Sequence, residues 1–369
     1  MLQIVVATLD AGGNVPPIIG IGRALVADGH DVHVIGHPAQ RDVFEAAGLC
    51  FTPYTAGRPW SPTAKKSTLV GLLDLVGVFN DRGAGSDVVD LARRVRADVV
   101  AVDCMMLGVL AATQEAGFAS VSLFHTFHAY FDGPWRRGPI GLLSRLRGHH
   151  ARRVWDACDR SLVLSLRDLD PVGTRTTTGL TWTGPVVNGA PAPTVTPPPR
   201  VLVSLSTTAF PGMALTLQRI VDALGRLPAE VVVTTGPSID PSSLTAPANT
   251  SVHRYVDHAE LMPTCSAVVG HGGHATTMRA LAHDLPVLII PAHPMLDQKM
   301  VGESVARAGA GLVLTRKATG REINDAVQTL LSSPDHRAAA AALGHRIREG
   351  RGAQTAAKQL AAHATSAQA

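Results

Sequence analysis

The chain has 369 residues, 46% hydrophobic and 17% charged, and its formal net charge at pH 7 is +4. This length predicts two domains of ordinary size, each able to bury its own core. Because 33 basic residues are nearly balanced by 29 acidic ones, we expect no nucleic-acid binding.

The four cysteines follow no zinc-ligand spacing and indicate a reducing compartment. The sequence contains no apolar run of about 18 residues, the length that a membrane-spanning helix needs. Residues 1–8 resemble a strand and not a signal peptide. We therefore expect a soluble, cytoplasmic protein with no stable membrane insertion.

Short apolar runs alternate with helical patterns in the first half, which predicts a parallel sheet flanked by helices. The predicted strands are residues 2–8, 32–35, 99–102, 120–124 and 161–165. The predicted helices are residues 18–28, 41–48, 88–96, 107–116 and 142–157. The Pro-rich stretch 52–66 and the Gly-rich stretch 80–86 are predicted to be long loops, which often carry binding function.

A second set of alternating elements follows a Pro-rich extended stretch. The predicted strands are residues 201–205, 230–235, 251–256, 267–269, 286–290 and 312–314. The predicted helices are residues 278–282 and 299–308 around the motif described next, and 214–224, 322–332, 334–349 and 352–363 elsewhere.

The stretch His271-Gly272-Gly273 joins a buried strand to a helix. Such a turn leaves backbone N–H groups pointing one way, and the helix dipole adds positive potential there. Thr276 can cap the helix or donate a hydrogen bond to a phosphate oxygen. His271 can also donate a hydrogen bond, and it carries a positive charge when protonated. The stretch therefore suits a phosphate or diphosphate, while His-Gly-Gly taken alone is equally typical of an ordinary turn. A metal pair of His271 and His274 lacks a third ligand nearby in sequence.

Asp297 and Gln298 follow the next predicted strand, at the edge where ligands of parallel sheets bind. One carboxylate and one amide suit several adjacent hydroxyls, as on a sugar. A diphosphate and a sugar together indicate a nucleotide sugar.

Residues 271–281 read His-Gly-Gly-His-Ala-Thr-Thr-Met-Arg-Ala-Leu and, with Leu-Pro-Val at 285–287 and Asp297-Gln298, resemble the donor signature of GT-B glycosyltransferases. The most similar members are the macrolide, antibiotic and plant nucleotide-diphospho-sugar enzymes. The resemblance covers nearly the whole chain. It implies an α/β fold in which two Rossmann-like domains face each other across a cleft.

The implied domain boundaries follow the Pro-rich stretch. Residues 1–187 form an acceptor-binding domain, 188–199 a linker, and 200–369 a donor-binding domain. The resemblance also implies that the terminal helix crosses back to the first domain.

The resemblance assigns the donor contacts by position. The phosphate, nucleobase and sugar contacts fall on Ser206, Thr207, Val256, His271, Gly272, Gly273, Thr276, Asp297 and Gln298. Arg279 stands where the family often has a Glu that grips both ribose hydroxyls, which leaves room for a deoxyribose donor. Val301 replaces a polar Asn of the family, and Tyr255 and His258 are candidates for stacking on the base.

The first loop departs from the family pattern. There, Gly-His-x-x-Pro supplies a His that takes a proton from the acceptor hydroxyl. The matching stretch here, residues 13–17, has Asn14 at that position, and an amide cannot accept the proton. The family acid that holds the His aligns with Asp103.

Three explanations for the missing base stay open. Asp103, which we favour, is the base directly or through a water. Alternatively, Asp10, His125 or His128 has taken over the role. The third option is an acceptor that needs little help, such as an acidic phenol or a nitrogen nucleophile.

The resemblance thus implies an inverting, metal-independent glycosyltransferase. It would move a sugar from a dTDP- or UDP-sugar to a small acceptor of natural-product type, with Asn14, His125 and His128 lining the acceptor site. We expect no cofactor beyond the nucleotide sugar, no metal and no nucleic-acid partner; a homodimer is one option. Two alternative hypotheses for the function are a non-catalytic helper subunit that binds nucleotide sugars and a nucleotide-sugar epimerase.

Overall fold

The computed structural model of the chain describes residues 1–11, 13–62, 68–172, 179–191, 198–206 and 210–367. They form two compact units, the first comprising Met1–Val186 and Arg351–Ala369 and the second Val187–Gly350. The C-terminal segment therefore belongs to the first unit. Residues 192–197 of the predicted linker lie outside the described residues.

The first unit contains a seven-stranded sheet in which every neighbouring pair is parallel. Its strands are β1 (Gln3–Ala7), β2 (Asp31–Gly36), β3 (Cys50–Pro53), β4 (Val99–Asp103), β5 (Ser120–Phe124), β6 (Arg160–Val163) and β7 (Leu180–Trp182). They lie in the order β3-β2-β1-β4-β5-β6-β7. Because β1, β4 and β5 are neighbours, their carboxyl ends lie side by side at one edge of the sheet.

Helices connect these strands, as crossover connections between parallel strands require. They are α1 (Val15–Ala27), α2 (Arg41–Ala46), α3 (Thr68–Phe79), α4 (Arg82–Val95), α5 (Leu107–Glu115), the single turn α6 (His128–Tyr130), α7 (Pro139–Leu146) and α8 (Ala151–Asp156).

The second unit repeats the same plan with six strands. They are β8 (Arg200–Ser204), β9 (Glu230–Thr234), β10 (Thr250–His253), β11 (Ala267–Gly270), β12 (Val287–Ile289) and β13 (Gly311–Val313). They are parallel and lie in the order β10-β9-β8-β11-β12-β13. The remaining helices are α9 (Met213–Leu224), α10 (His258–Leu261), α11 (His274–Ala282), α12 (Gln298–Arg307), α13 (Gly320–Ser332), α14 (Pro334–Gly350) and α15 (Gly352–Ala367).

The terminal helix α15 is part of the core of the first unit. Ala357 and Leu360 of α15 are fully buried in the same apolar cluster as Ile4 of β1 and Ile21 of α1. A Cβ at Gly20 of α1 would lie 3.6 Å from Ala353 of α15, so the two helices pack closely. The helix that the resemblance sends back to the first domain thus fills its core.

The Gly-rich stretch 80–86 is not the predicted loop, because α4 begins at Arg82. The carboxylate of Asp81 caps this helix by accepting from the N–H of Gly83 at 2.9 Å. Gly85 is needed for helix packing, since a Cβ there would lie 2.8 Å from the Cβ of Ala112 on α5. The glycines thus allow close approach of two helices.

The single helix predicted over residues 142–157 is also wrong, because two helices, α7 and α8, occupy this region. Gly148 adopts a φ of +92° just after α7, a conformation that ends a helix. No helix in the described part of the chain is both long enough and apolar enough to cross a membrane.

Candidate functional site

The turn between β11 and α11 is built on Gly272. Its φ is +87°, which side-chain-bearing residues rarely adopt. A Cβ there would lie 2.6 Å from the backbone oxygen of Gln298 and 2.8 Å from Ile289. Glycine is therefore required for two reasons, and the turn is held against the start of α12.

His271 lies folded over the same turn. A Cβ at Gly273 would lie 2.6 Å from His271 Nε2, so this glycine makes room for the imidazole. Nδ1 of His271 is buried and has no hydrogen-bond partner among the described residues. Burial lowers the pKa of His271 to about 4. The free protein therefore presents a neutral imidazole at pH 7, able to donate a hydrogen bond but carrying no charge.

The helix after the turn begins earlier than its sequence pattern suggests. Gly273 occupies the N-cap position and His274 begins α11, so Thr276 lies in the first turn and does not cap the helix. Thr277 instead donates its hydroxyl to the carbonyl of Gly273 at 2.9 Å. The first helical turn has no preceding carbonyls to accept its N–H groups, an arrangement that favours a nearby anion.

These residues surround a small pocket at the carboxyl end of the second sheet. It is lined by Gly270, His271, Gly272, Gly273, Thr276 and Ile289, among others. A larger open depression of about 590 Å³ lies beside Gln3, Asp31 and Cys50. That depression is at the amino ends of β1 to β3, the edge opposite to where ligands of parallel sheets bind.

Gln298 has a structural contact that its sequence position did not predict. Its side chain is buried, and Oε1 accepts from the N–H of Ala292 at 2.7 Å and of His293 at 3.0 Å. The amide oxygen thus fixes the loop after β12. Asp297, which precedes α12, is half-buried.

The residues predicted to surround the nucleotide differ in their exposure to solvent. Ser206 is buried beyond β8, Val256 is half-buried, and Thr207 lies outside the described residues. Tyr255 is 79% exposed, which suits a ring that stacks on a base. His258 Nε2 lies 3.3 Å from the hydroxyl oxygen of Thr234 at the end of β9.

Arg279 lies on α11 and acts on two histidines. The pKa of His258 is lowered first by burial and then by the positive charge of Arg279. Burial is also the main reason why the pKa of His283 is lowered, and Arg279 contributes again. A fixed positive charge therefore stands where the resembled family often places a ribose-binding carboxylate.

The corresponding edge of the first sheet brings together three predicted residues. The side-chain amide of Asn14, just before α1, donates to Oδ2 of Asp103 at the end of β4. His125 follows β5, and its Nδ1 lies 3.4 Å from the same carboxylate oxygen. The other oxygen, Oδ1, accepts from the N–H of Met105 at 2.9 Å. Asn14 and Asp103 are each only 3% exposed.

Asp103, Cys104 and His125 also have candidate metal-ligand atoms within 4.8 Å of one another. Burial raises the pKa of the Cys104 thiol well above its ordinary value, and the charge of Asp103 raises it further. Both carboxylate oxygens of Asp103 are engaged by protein N–H groups.

His128 is held separately from this corner. The backbone N–H groups of His128 and Ala129 donate to the carboxylate of Asp170 at 2.7 and 3.1 Å, and Trp182 Nε1 donates to it at 3.1 Å. The His128 ring packs on Phe124, with centroids 5.0 Å apart. Sequence reasoning missed Asp170; its place shortly after a predicted strand was the available signal.

Comparison with known proteins identifies the chain's relatives. Residues 218–362 match the family described as erythromycin biosynthesis protein CIII-like, C-terminal domain. The chain is 25% identical to 4'-demethylrebeccamycin synthase of Lentzea aerocolonigenes over 92% of its length and 94% of that protein. It is 26% identical to 10-deoxymethynolide desosaminyltransferase of Streptomyces venezuelae over 90% and 89%.

Solved structures agree on the fold. The glycotransferase of kitacinnamycin superposes with a TM-score of 0.79 at 21% identity, covering 98% of this chain and 99% of that one. The glycosyltransferase VinC in complex with DTDP gives a TM-score of 0.70 at 19% identity, covering 99% and 100%. The chain is a glycosyltransferase of the GT-B fold.

The position of each site residue in this glycosyltransferase follows from its two parallel sheets. The turn of residues 271–273 lies at the carboxyl edge of the second sheet, and Asn14, Asp103 and His125 meet at the carboxyl edge of the first. Resemblance to antibiotic-biosynthesis enzymes extends over both units, because the relatives above align with about nine-tenths of the chain.

Proposed function

We propose that this glycosyltransferase moves a sugar from a thymidine or uridine diphosphate sugar to a small natural-product acceptor, with inversion and without a metal ion. The observation that carries the proposal is the turn of His271, Gly272 and Gly273 at the amino end of α11. It combines close backbone access, helix-start N–H groups and a neutral imidazole that can donate a hydrogen bond.

The leaving diphosphate gains negative charge as its bond to the sugar breaks. Donors that are already oriented toward that charge stabilise the transition state most, because they need no reorganisation during the reaction. The N–H groups and dipole of α11 supply such a positive end. Since the pKa of His271 is about 4 in the free protein, the start of the helix is the main source of positive potential at this turn before a nucleotide binds.

The sugar would be held by Asp297 and Gln298. The buried oxygen of Gln298 fixes the loop at Ala292 and His293. We assign sugar binding to its amide nitrogen and to the carboxylate of Asp297. With one donor and one acceptor, the pair suits two adjacent hydroxyls.

Arg279 supports a thymidine donor over a uridine donor. A guanidinium cannot accept hydrogen bonds from ribose hydroxyls, whereas the carboxylate that the resembled family often has there can. A deoxyribose has no 2′-hydroxyl, so a deoxyribose donor loses fewer hydrogen bonds than a ribose donor when the carboxylate is replaced by Arg279. The relative VinC, whose fold this chain shares, was solved with DTDP bound.

Inversion requires a single displacement. The acceptor oxygen forms a bond to the anomeric carbon while the bond from that carbon to the diphosphate breaks, and the electron pair leaves with the diphosphate. The acceptor proton must pass to a group of the protein or to water. The corner of Asn14, Asp103 and His125 is the acceptor-side site of this proposal. His128, whose backbone is held by Asp170, is assigned to the same acceptor site.

One observation favours a second candidate, a helper subunit that binds nucleotide sugars without transferring them. Asn14 occupies the position of the family's base, and an amide cannot accept a proton. The glycine turn argues against this reading, because an intact diphosphate site beside a sugar-binding pair has its main use in transfer. Four cysteines without disulfides also suit the cytoplasm, where such transfer would take place.

The test is an assay of the full chain with dTDP-glucose or UDP-glucose and a panel of macrolactone and polyphenol acceptors, in the presence of EDTA. We expect a glycosylated product by mass spectrometry, with a β-linkage from the α-linked donor by NMR. His271→Ala should reduce its formation. Binding of the nucleotide without any product would favour the helper subunit, and product that requires added metal would overturn the metal-independent mechanism.

A further inference from the structure

The group that accepts the proton can be inferred from the corner around Asp103. Asn14 is excluded by its chemistry, since an amide does not accept protons near neutral pH. Asp103 itself is poorly placed for direct contact with a substrate. Its side chain is only 4% exposed, and its two oxygens accept hydrogen bonds from Asn14 and from the N–H of Met105.

His125, unlike Asp103, is placed where a substrate can contact its side chain. Its side chain is 19% exposed, and it lies just beyond β5, at the edge where a substrate would approach. The ring stands edge-on to Phe131, with centroids 5.4 Å apart, which restrains its orientation. Its Nδ1 lies 3.4 Å from Oδ2 of Asp103.

We propose that His125 is the general base of the transfer reaction and that Asp103 is the residue that positions it. A carboxylate oxygen 3.4 Å from Nδ1 favours the tautomer with the proton on Nδ1 through charge attraction. Nε2 then takes the proton from the acceptor hydroxyl as its oxygen bonds to the anomeric carbon. The imidazolium that forms is stabilised by Asp103 and later releases the proton to solvent. This inference rests on the proposed transfer function and names the residue that performs one step of it.

Asn14 is then a second positioning residue. By donating to Oδ2, its amide restrains the carboxylate of Asp103. The same oxygen, Oδ2, lies 3.4 Å from Nδ1 of His125. An asparagine at position 14 is therefore compatible with catalysis, because the base lies after β5 and not after β1.

Tyr54 and Cys104, which lie close to Asp103, stay neutral. Burial raises the pKa of Tyr54 well above its ordinary value, and the nearby charge of Asp103 raises it further. The pKa of the Cys104 thiol is raised for the same two reasons. Neither group changes charge between pH 5 and 9. His128 is the other titratable ring nearby, and burial lowers its pKa; the His128→Gln variant below separates its contribution to the acid limb from that of His125.

The experiment compares the wild type with His125→Gln, which keeps a polar side chain of similar size. With dTDP-glucose or UDP-glucose and 4-methylumbelliferone or an aliphatic alcohol as acceptor, we expect kcat to fall by about 100-fold or more. The acid limb of the pH profile of kcat should disappear, and the loss should be greater for the alcohol than for the acidic phenol. The affinity for the nucleoside diphosphate should stay within about twofold of the wild type, because His125 lies in the other unit.

His128→Gln is the matched control, since its ring lies three residues away and its backbone is held by Asp170. That variant should retain the acid limb even if it changes the acceptor KM. Free imidazole should restore part of the activity of His125→Ala. An acid limb retained in His125→Gln, or a kcat within threefold of the wild type, would overturn the assignment.

A measurement independent of turnover separates this proposal from the transfer function. In NMR titrations of the histidine ring protons, the apparent pKa of His125 should fall when Asp103→Asn removes the carboxylate. An unchanged titration of His125 would overturn the dyad even in an active enzyme. A wild type that transfers no sugar would overturn the proposed function, while the expected NMR shift would still support the pairing of the two side chains.

Discussion

Asn14 donates its side-chain amide to the carboxylate of Asp103, although the two residues are 89 positions apart in sequence. The contact forms because β1 and β4 are parallel neighbours whose carboxyl ends lie together. It places an amide, which cannot accept a proton, against the acid that the resembled family uses to hold its base. The acceptor site that we propose is therefore organised differently from that pattern.

Asn14→Ala should lower the free energy of unfolding by about 1–3 kcal/mol, because a buried carboxylate oxygen loses its hydrogen-bond donor. Asn14→Asp should cost more at pH 7, since it places a second negative charge beside Asp103. Like charges raise the folded-state pKa of such a pair, so this additional loss should shrink as the pH falls. Urea unfolding of both variants at pH 7 and pH 4.5 measures these effects. If Asn14→Asp lost the same unfolding free energy at the two pH values, the contact with Asp103 would be contradicted.

Gly272→Ala should destabilise the protein and weaken nucleotide binding together. Its Cβ would lie 2.6 Å from the backbone oxygen of Gln298, and its φ is +87°. Gly29→Ala is the matched control, because Gly29 has a φ of +82° and nothing within 4 Å of a Cβ. The control should cost about 1 kcal/mol for the left-handed backbone alone, and Gly272→Ala should cost clearly more. Thermal unfolding of both variants measures the difference, and equal costs would refute the steric argument.

His271 should make stability depend on pH in a specific window. Its pKa is about 4 in the folded protein, against an ordinary value of 6.5. The unfolded chain therefore binds the proton more readily between these values, and stability is lost as the pH falls from 6.5 toward 4. This group accounts for roughly 3 kcal/mol of that loss.

His271→Asn removes the titrating ring and should flatten the dependence of unfolding free energy on pH between 6.5 and 4. Stability of both proteins above pH 6.5 serves as the reference, since the histidine is neutral there in both states. A variant with the same slope as the wild type would show that His271 is not buried as described.

Gln298 separates a structural role from a sugar-binding role. Gln298→Ala should destabilise the loop at Ala292 and His293, leaving two N–H groups unpaired at a cost of about 1–3 kcal/mol each. Gln298→Glu keeps an accepting oxygen and should fold more stably than Gln298→Ala. It lacks the amide donor, so its affinity for the nucleotide sugar should fall while its affinity for the nucleoside diphosphate persists. Equal affinity of Gln298→Glu and the wild type for the sugar nucleotide would remove the amide from the sugar site.

The glycine turn could be predicted from sequence because its signals are local. A buried strand, two glycines and a helix follow one another within a dozen residues, and each has a defined backbone preference. The start of α11 was misplaced, since no Ser, Thr, Asp or Asn occupies its cap and Gly273 does so instead. The charge state of His271 was also out of reach, because its pKa depends on burial by residues distant in sequence.

The acceptor corner could be predicted only in part. Resemblance aligned Asn14 and Asp103, but the contact between His125 and Asp103 depends on side-chain directions at the ends of two strands. The sequence predicts a loop for the Gly-rich stretch before α4, because the partner helix that needs Gly85 to be small is not adjacent in sequence. Packing between distant segments, which leaves no local pattern, accounts for both failures.

The most direct test of the account is a calorimetric titration of the full chain with thymidine and uridine diphosphates, without added metal, for the wild type and His271→Ala. We predict that the wild type binds at least one of the two nucleotides and that the variant binds it at least about tenfold more weakly. Failure of the wild type to bind either nucleotide, or equal affinity of the two proteins, would contradict the assignment of the turn at residues 271–273 as the diphosphate site.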